Sequence, residues 1–402
     1  MQLGNRLAKR IARIVIFALI PALTVAPVLS VSAPLFADSP GAFVELDDIA
    51  FRPLPDRDGY TQAYSINYRD AQFRIYAIFL ISNIGPKSLN NGVSVLIYHK
   101  GQSRVFTSEN DFRTLKAQPG TVRIRSGNHT LELSGVRPGS RFLDPAKSRL
   151  KLVVDSPQFR LQLELSQLMR GTRLSGGRVR VSGDAADFVR ADVPIASATA
   201  RGSMLFRGTE YQLRGVGGMD SIYTNVSPHL YAKSFSLSRS YSRGAGAYLG
   251  VIRGTGEFPA AANSRGQQHY GRFAFLRGGR LQSCGSITKI EVLERRRNAL
   301  SGYTLPVHTR YQAQTDAGER CEITERVLRP AGGYSVLGSI STFLRWVLQV
   351  LFAKPFILHY ETELVLRCAE PTPRGTSPSE SPLLKERARY TNVQNSFYLV
   401  NE

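Results

Sequence analysis

Apolar and polar positions alternate with a period of two along most of this chain. Phe73-Arg74-Ile75-Tyr76-Ala77-Ile78-Phe79-Leu80-Ile81 is a largely apolar strand between Arg69-Asp70 and Asn83-Ile84-Gly85-Pro86. Alternation puts Ile75, Ala77, Phe79 and Ile81 on one face of it. Val93 to Tyr98 follows the turn signal Asn90-Asn91-Gly92, and strands continue at 121–124, 130–133, 150–154 and 159–165. Turn residues return about every ten positions, the spacing of an antiparallel sandwich or barrel. The second half repeats the pattern at 203–206, 210–213, 232–237, 247–252, 270–276, 286–293, 307–312, 322–327 and 360–366. A composition shift at Asp184 to Ala200, with Pro194, marks a boundary between two halves that are each the size of one closed β-barrel. The fold class predicted is all-β: two antiparallel barrels in tandem, residues 38–195 and 196–370, with one late helix and a flexible tail over 371–402.

That helix is Ser339 to Ala353, apolar at i, i+3, i+4, i+7 and i+8 and stopped by Lys354-Pro355. It is too short to cross a bilayer, which takes about 20 residues. It reads as a helix covering a barrel end, or as one touching a membrane with Arg345 and Lys354 at the headgroups. At the other terminus, Arg6, Lys9, Arg10 and Arg13 precede an apolar run from Ile14 to Leu29, then small residues up to Ala33 and Ala37. This is the layout of a secretory signal over residues 1–37, cleaved after Ala33 or Ala37, and it predicts a periplasmic or secreted protein.

Charge sharpens the choice of partner. The chain of 402 residues carries a formal net charge of +21. Its longest basic run is only Arg295-Arg296-Arg297, the other arginines are dispersed, and no nucleic-acid motif is present, so an anionic membrane surface fits better than nucleic acid. Three cysteines, Cys284, Cys321 and Cys368, predict one disulfide and one thiol in an oxidising compartment, with the pairing left open. The six histidines are scattered, and none forms a close ligand pair, so neither a metal site nor a cofactor is indicated.

The stretch Gly202 to Tyr231 concentrates candidate chemistry. Gly215, Gly217 and Gly218 permit tight turns or close backbone approach. Asp220, Tyr223, Asn225, His229 and Tyr231 then follow within twelve positions and offer an acid, a base and orienting hydrogen bonds. The plainer reading is a Gly-rich connection whose polar groups cap strand ends, with Asp220 paired to an arginine such as Arg214.

The series Pro194, Gly202, Gly208, Gly215, Gly217 and Asp220 resembles the carotenoid 1,2-hydratase superfamily. Gly59-Tyr60 through Gly85-Pro86 and His269-Tyr270-Gly271 through Phe275-Leu276 also resemble segments of it. That group has two lipocalin-like barrels in tandem and includes Diels–Alderase-type cyclases and survival-factor lipid carriers. The hydratases have Asp-His-x-Trp where this chain has Asp220-Ser221-Ile222-Tyr223, so Asp220 alone carries over directly and Tyr223 takes the aromatic place. The resemblance therefore implies a cavity for an apolar ligand near the junction more firmly than it implies a reaction. Two classes of function follow. One is an exported carrier of a lipid or isoprenoid, with Gly217, Gly218 and Asn225 at the pocket. The other is a cofactor-free hydratase, isomerase or cyclase acting on a polyene, with Asp220 as acid and Tyr223, Tyr231 and His229 beside it. A cell-envelope adaptor is a third reading.

Overall fold

A computed structural model describes residues 43–53, 59–83, 90–137, 139–175, 177–182, 184, 186–242, 244–255, 269–335, 356–369 and 384–399. The signal segment, the helix expected at 339–353 and residues 370–383 lie outside them.

Twelve strands build a first sheet. They are β1 (Tyr60–Arg69), β2 (Phe73–Ser82), β3 (Asn90–His99), β4 (Gln102–Asn110), β5 (Leu115–Ala117), β6 (Arg123–Ser126), β7 (His129–Ser134), β8 (Arg149–Ser156), β9 (Phe159–Arg170), β10 (Val179–Arg180), β11 (Phe188–Phe206) and β12 (Thr209–Asn225). Eight more close a barrel: β13 (Ala232–Ser242), β14 (Ala245–Gly254), β15 (His269–Arg277), β16 (Arg280–Arg297), β17 (Thr304–Thr315), β18 (Arg320–Ser335), β19 (Phe356–Ala369) and β20 (Leu384–Leu399). Short helices α1 (Leu46–Ile49) and α2 (Pro228–Tyr231) and a 3-10 turn at Phe112–Thr114 complete the described elements. Every pairing is antiparallel.

The first sheet runs β4-β3-β2-β1-β12-β11-β9-β8-β7-β6-β5, with β10 beside β11. It bends round one apolar core, and its ends meet through side chains: Asn110 Nδ2 donates to Ser126 Oγ at 2.9 Å, and Ser126 also bonds Asn91. Ile75, Ala77, Phe79 and Ile81 share the predicted face, and that face packs the core against Leu131, Phe159 and Leu161. Two-residue turns with both φ positive, Lys100-Gly101 and Arg207-Gly208, suit the right-handed twist of the strands they join.

The division of the chain differs from the expected one. The boundary drawn at 195/196 falls inside β11, because β12 pairs with both β1 and β11 and so belongs to the first sheet. The first half ends at Asn225, and α2 leads into the barrel. Pro194 sits where the β11–β12 register slips between Asp192 and Ile195, a place in a strand where its missing N–H does no harm. Residues 384–399 are also no tail. β20 pairs with β13 and β19 and closes the barrel, giving its backbone groups partners on both sides. Asn90 and Asn91 already belong to β3. The disulfide joins Cys321 and Cys368, which face each other across β18 and β19. Cys284 stays reduced and half-buried beside Asp316, and burial with that carboxylate pushes its thiol up to about 12.

Candidate functional site

Along β12 the side chains alternate between two surroundings. Leu213 and Met219 enter the first-sheet core, while Gly218 and Asp220 face the barrel. Tyr223, an odd number of positions from Asp220, lies on the other face. It packs edge-on against Tyr60 at 5.5 Å and Phe188 at 5.1 Å, under the Arg52 guanidinium. Asn225 closes a strand end, accepting from Phe188 N at 2.9 Å and donating to Ala186 O at 2.7 Å. His229 is exposed on α2, and Tyr231 is buried edge-on to Phe235. A Cβ on Gly217 would crowd Asn67 O, and one on Gly218 would run into the Tyr241 ring. The two glycines thus serve close packing within the protein, and the sequence candidates do not gather round one point.

Asp220 instead anchors a polar chain across the junction. Its partner is Arg239 on β13, in place of the Arg214 suggested by proximity in sequence. Arg239 Nε reaches Asp220 Oδ2 at 2.7 Å and Nη2 reaches Oδ1 at 3.3 Å. Asn67 Nδ2 donates to the same Oδ2 at 3.0 Å, and Tyr241 Oη does so at 3.5 Å. Every contact that Asp220 makes here is an accepted one. Arg239 also donates to Ser396 Oγ at 2.8 Å, which bonds His359 Nδ1 at 3.1 Å. The His359 ring lies 4.2 Å from that of Tyr76 on β2. Burial opposes the charge on Arg239, but the adjacent Asp220 carboxylate outweighs it and raises the guanidinium above its ordinary value. Burial, helped by the Arg239 charge, holds His359 down to about 3. Beside this chain, Glu361 is buried between Arg74 and Arg329. His359 Nε2, Tyr76 Oη and both polar side-chain atoms of Gln394 are buried without a hydrogen-bond partner.

Sequence reasoning missed Arg239, His359 and Ser396. The usable signal was His359 and Glu361 interrupting an otherwise apolar strand, since buried charge calls for a partner.

Among the described residues, two spaces lie apart from this polar chain. A cleft of about 690 Å³ opens where bulges in β9 and β11 meet the hairpin tips of the barrel at Gly244 and Gly278-Gly279. Phe43, Leu168, Met169 and Ala198 supply apolar lining, and Arg170 and Arg201 supply charge. Inside the barrel, a cavity of about 30 Å³ has room for about two waters. Glu325 lies on its wall and accepts from Tyr311 Oη at 2.8 Å, from Asn395 Nδ2 at 3.0 Å and from Ser238. Burial raises the Glu325 carboxyl above its usual range.

No protein-family model and no curated protein matches the chain. Solved structures do. An AttH candidate from Nitrosomonas europaea superposes with a TM-score of 0.55 at 12% identity, covering 94% of this chain and 100% of the other. CghA, solved with Sch210972, superposes with a TM-score of 0.50 at 11% identity, covering 92% and 97%. At such identities the likeness concerns the fold. These neighbours share two antiparallel barrel-like sheets in sequence order, so this chain has the tandem lipocalin-like fold that its sequence resembles.

Proposed function

We propose that this chain is an exported binding protein for a long, mainly apolar molecule such as a lipid or isoprenoid. The ligand lies in the junction cleft, with its polar end toward Arg170 and Arg201. One observation carries this reading: the cleft's volume of about 690 Å³ lies within the range of small-molecule sites, with apolar walls and a few charged groups. Among the described residues, the first sheet encloses a buried apolar core and the barrel cavity of about 30 Å³ has room for about two waters. The presence of Sch210972 in the CghA structure is consistent with a small-molecule role for this fold. Export rests on the basic, apolar and small-residue order of residues 1–37. N-terminal sequencing of the exported product should begin after Ala33 or Ala37; a retained Met1 in the membrane fraction would replace export by anchoring.

The binding test uses native mass spectrometry of the purified protein, lipid extraction, and titration with the polyene fatty acid cis-parinaric acid. A co-purifying apolar molecule, with probe binding weakened in an Arg170→Gln/Arg201→Gln variant, supports the reading. No ligand and no probe binding would overturn it.

A second reading is favoured by the orphaned polar atoms of His359, Tyr76 and Gln394, since unpartnered buried groups often mark reactive sites. It is a cofactor-free hydratase, isomerase or cyclase acting on a polyene. Asp220 was the acid expected from sequence, and its accepted bonds suit it better to fixing Arg239. Asp220→Asn also unpairs Arg239, so it is read with the melting temperature: lost turnover at unchanged stability supports the enzyme reading, unchanged ligand content the carrier reading, and a lowered melting temperature a structural role for Asp220.

A further inference from the structure

Among the described residues, five large hydrophobic side chains are exposed: Leu80, Leu230, Leu293, Leu300 and Leu328. Single exposed leucines are ordinary. Their distribution here is not, because Leu230 and Leu300 lie in connections at one end of the barrel, and Leu293 and Leu328 lie in the halves of β16 and β18 nearer that end. The strand register defines that end. Ala232 at the start of β13 faces Gly254 at the end of β14, Arg297 faces Thr304, and Ser335 faces Phe356, which faces Leu399. Leu230 lies on α2 just before β13, and Leu300 lies in the connection from β16 to β17. Leu293 and Leu328 reach the surface by a shared device. Each is the extra residue of a β-bulge, between Val292 and Glu294 in β16 and between Val327 and Arg329 in β18. A bulge re-aims a side chain and breaks the alternation that would otherwise set its direction.

The same end is basic. Arg295, Arg296 and Arg297 finish β16 exposed, and Arg326 is exposed near Leu328. Glu294 pairs with Arg296 at 2.8 Å, and Glu361 is taken up by Arg74 and Arg329. Among the described residues, no carboxylate forms an ion pair with Arg295, Arg297 or Arg326.

We propose that this end of the barrel docks on an anionic lipid bilayer, with the four leucines entering the headgroup layer and the arginines pairing with lipid phosphates. Leucine among arginine is the combination that peripheral membrane surfaces use, since each apolar chain gains by leaving water and each cation by approaching negative headgroups. The cleft is bounded by hairpin tips at the opposite end of the barrel, at Gly244 and Gly278-Gly279, so docking leaves it open to solution. The inference does not depend on what the cleft holds.

The test is flotation of the full exported chain with vesicles of phosphatidylcholine containing 30% phosphatidylglycerol, and with pure phosphatidylcholine. The native protein should float with the anionic vesicles at 100 mM salt and be released at 500 mM. Leu293→Asn/Leu300→Asn/Leu328→Asn and Arg295→Gln/Arg296→Gln/Arg297→Gln should each weaken binding tenfold or more at an unchanged melting temperature. Arg113→Gln/Lys116→Gln/Arg125→Gln removes three exposed charges from β5, β6 and the turn before them and should change binding less than twofold. The proposal is overturned if the native protein ignores anionic vesicles, or if it binds neutral ones equally well. It also fails if the first-sheet variant loses as much binding as the arginine variant at the barrel end. Should the leucine variant not fold, the two charge variants decide between these outcomes.

Discussion

Inside the first sheet, Phe79, Leu131, Phe159 and Leu161 are wholly buried among apolar neighbours. Inside the barrel, Ser238, Tyr311 and Asn395 surround the buried carboxyl of Glu325, with a small cavity beside it. Between the two lies a third kind of interior, the Asp220–Arg239–Ser396–His359 chain. Both sheets are antiparallel and both enclose an apolar core, the barrel's built from Leu249, Phe273, Phe275, Ile323, Leu364 and Leu366; the barrel differs in also burying the Glu325 carboxyl. Dispersion and water exclusion hold the first, where any residue of the right volume serves. The barrel and the junction hold polar groups whose partners must all be present at once, which makes them less forgiving and more specific.

The junction offers the largest effect. Arg239→Met leaves Asp220 buried without its cation and should cost about 3–5 kcal/mol in urea unfolding. Arg239→Met with Asp220→Leu removes both charges and should recover most of that loss. If the single variant is as stable as the native protein, the ion pair does not hold the halves together. His359 gives a pH signature of the same junction. Its folded value is depressed to about 3, so its contribution is fully present above about 6.5 and lost as pH falls toward 3. The loss should be on the order of 5 kcal/mol, and His359→Gln should remove that slope. An unchanged slope would assign the acid sensitivity to other groups.

The two interiors can then be set against each other. Leu152→Ala in the first core should cost about 2–5 kcal/mol through lost burial and the cavity left behind. Glu325→Gln keeps the volume and should cost far less at neutral pH. The native Glu325 carboxyl is raised, so its stabilising contribution is present below its unfolded value and lost as pH rises through the folded one. Urea midpoints at pH 5 and pH 8 should show a smaller decline for Glu325→Gln than for the native chain. Equal declines would mean that the barrel interior tolerates the charge. Glu325 and His359 thus pull the stability profile in opposite directions.

The period-two pattern and the recurrent turns determined that this chain is antiparallel β in two halves, because alternation is local: each residue's direction follows from its neighbours on the strand. They also placed Ile75, Ala77, Phe79 and Ile81 on one buried face. Where the halves divide was decided by tertiary structure. Nothing within β12 says that it will pair with β1, some 150 residues earlier, and nothing within Leu384–Leu399 says that it will close a barrel with β13. The junction shows the same limit. Asp220 was visible as a carboxylate after a run of glycines, and its meaning came from Asn67 on β1 and from Arg239 and Tyr241 on β13, which meet it only in the folded chain. The alternation fixed the face on which each side chain stands. The partner across that face was set by long-range register, the pairing of Cys321 with Cys368 included.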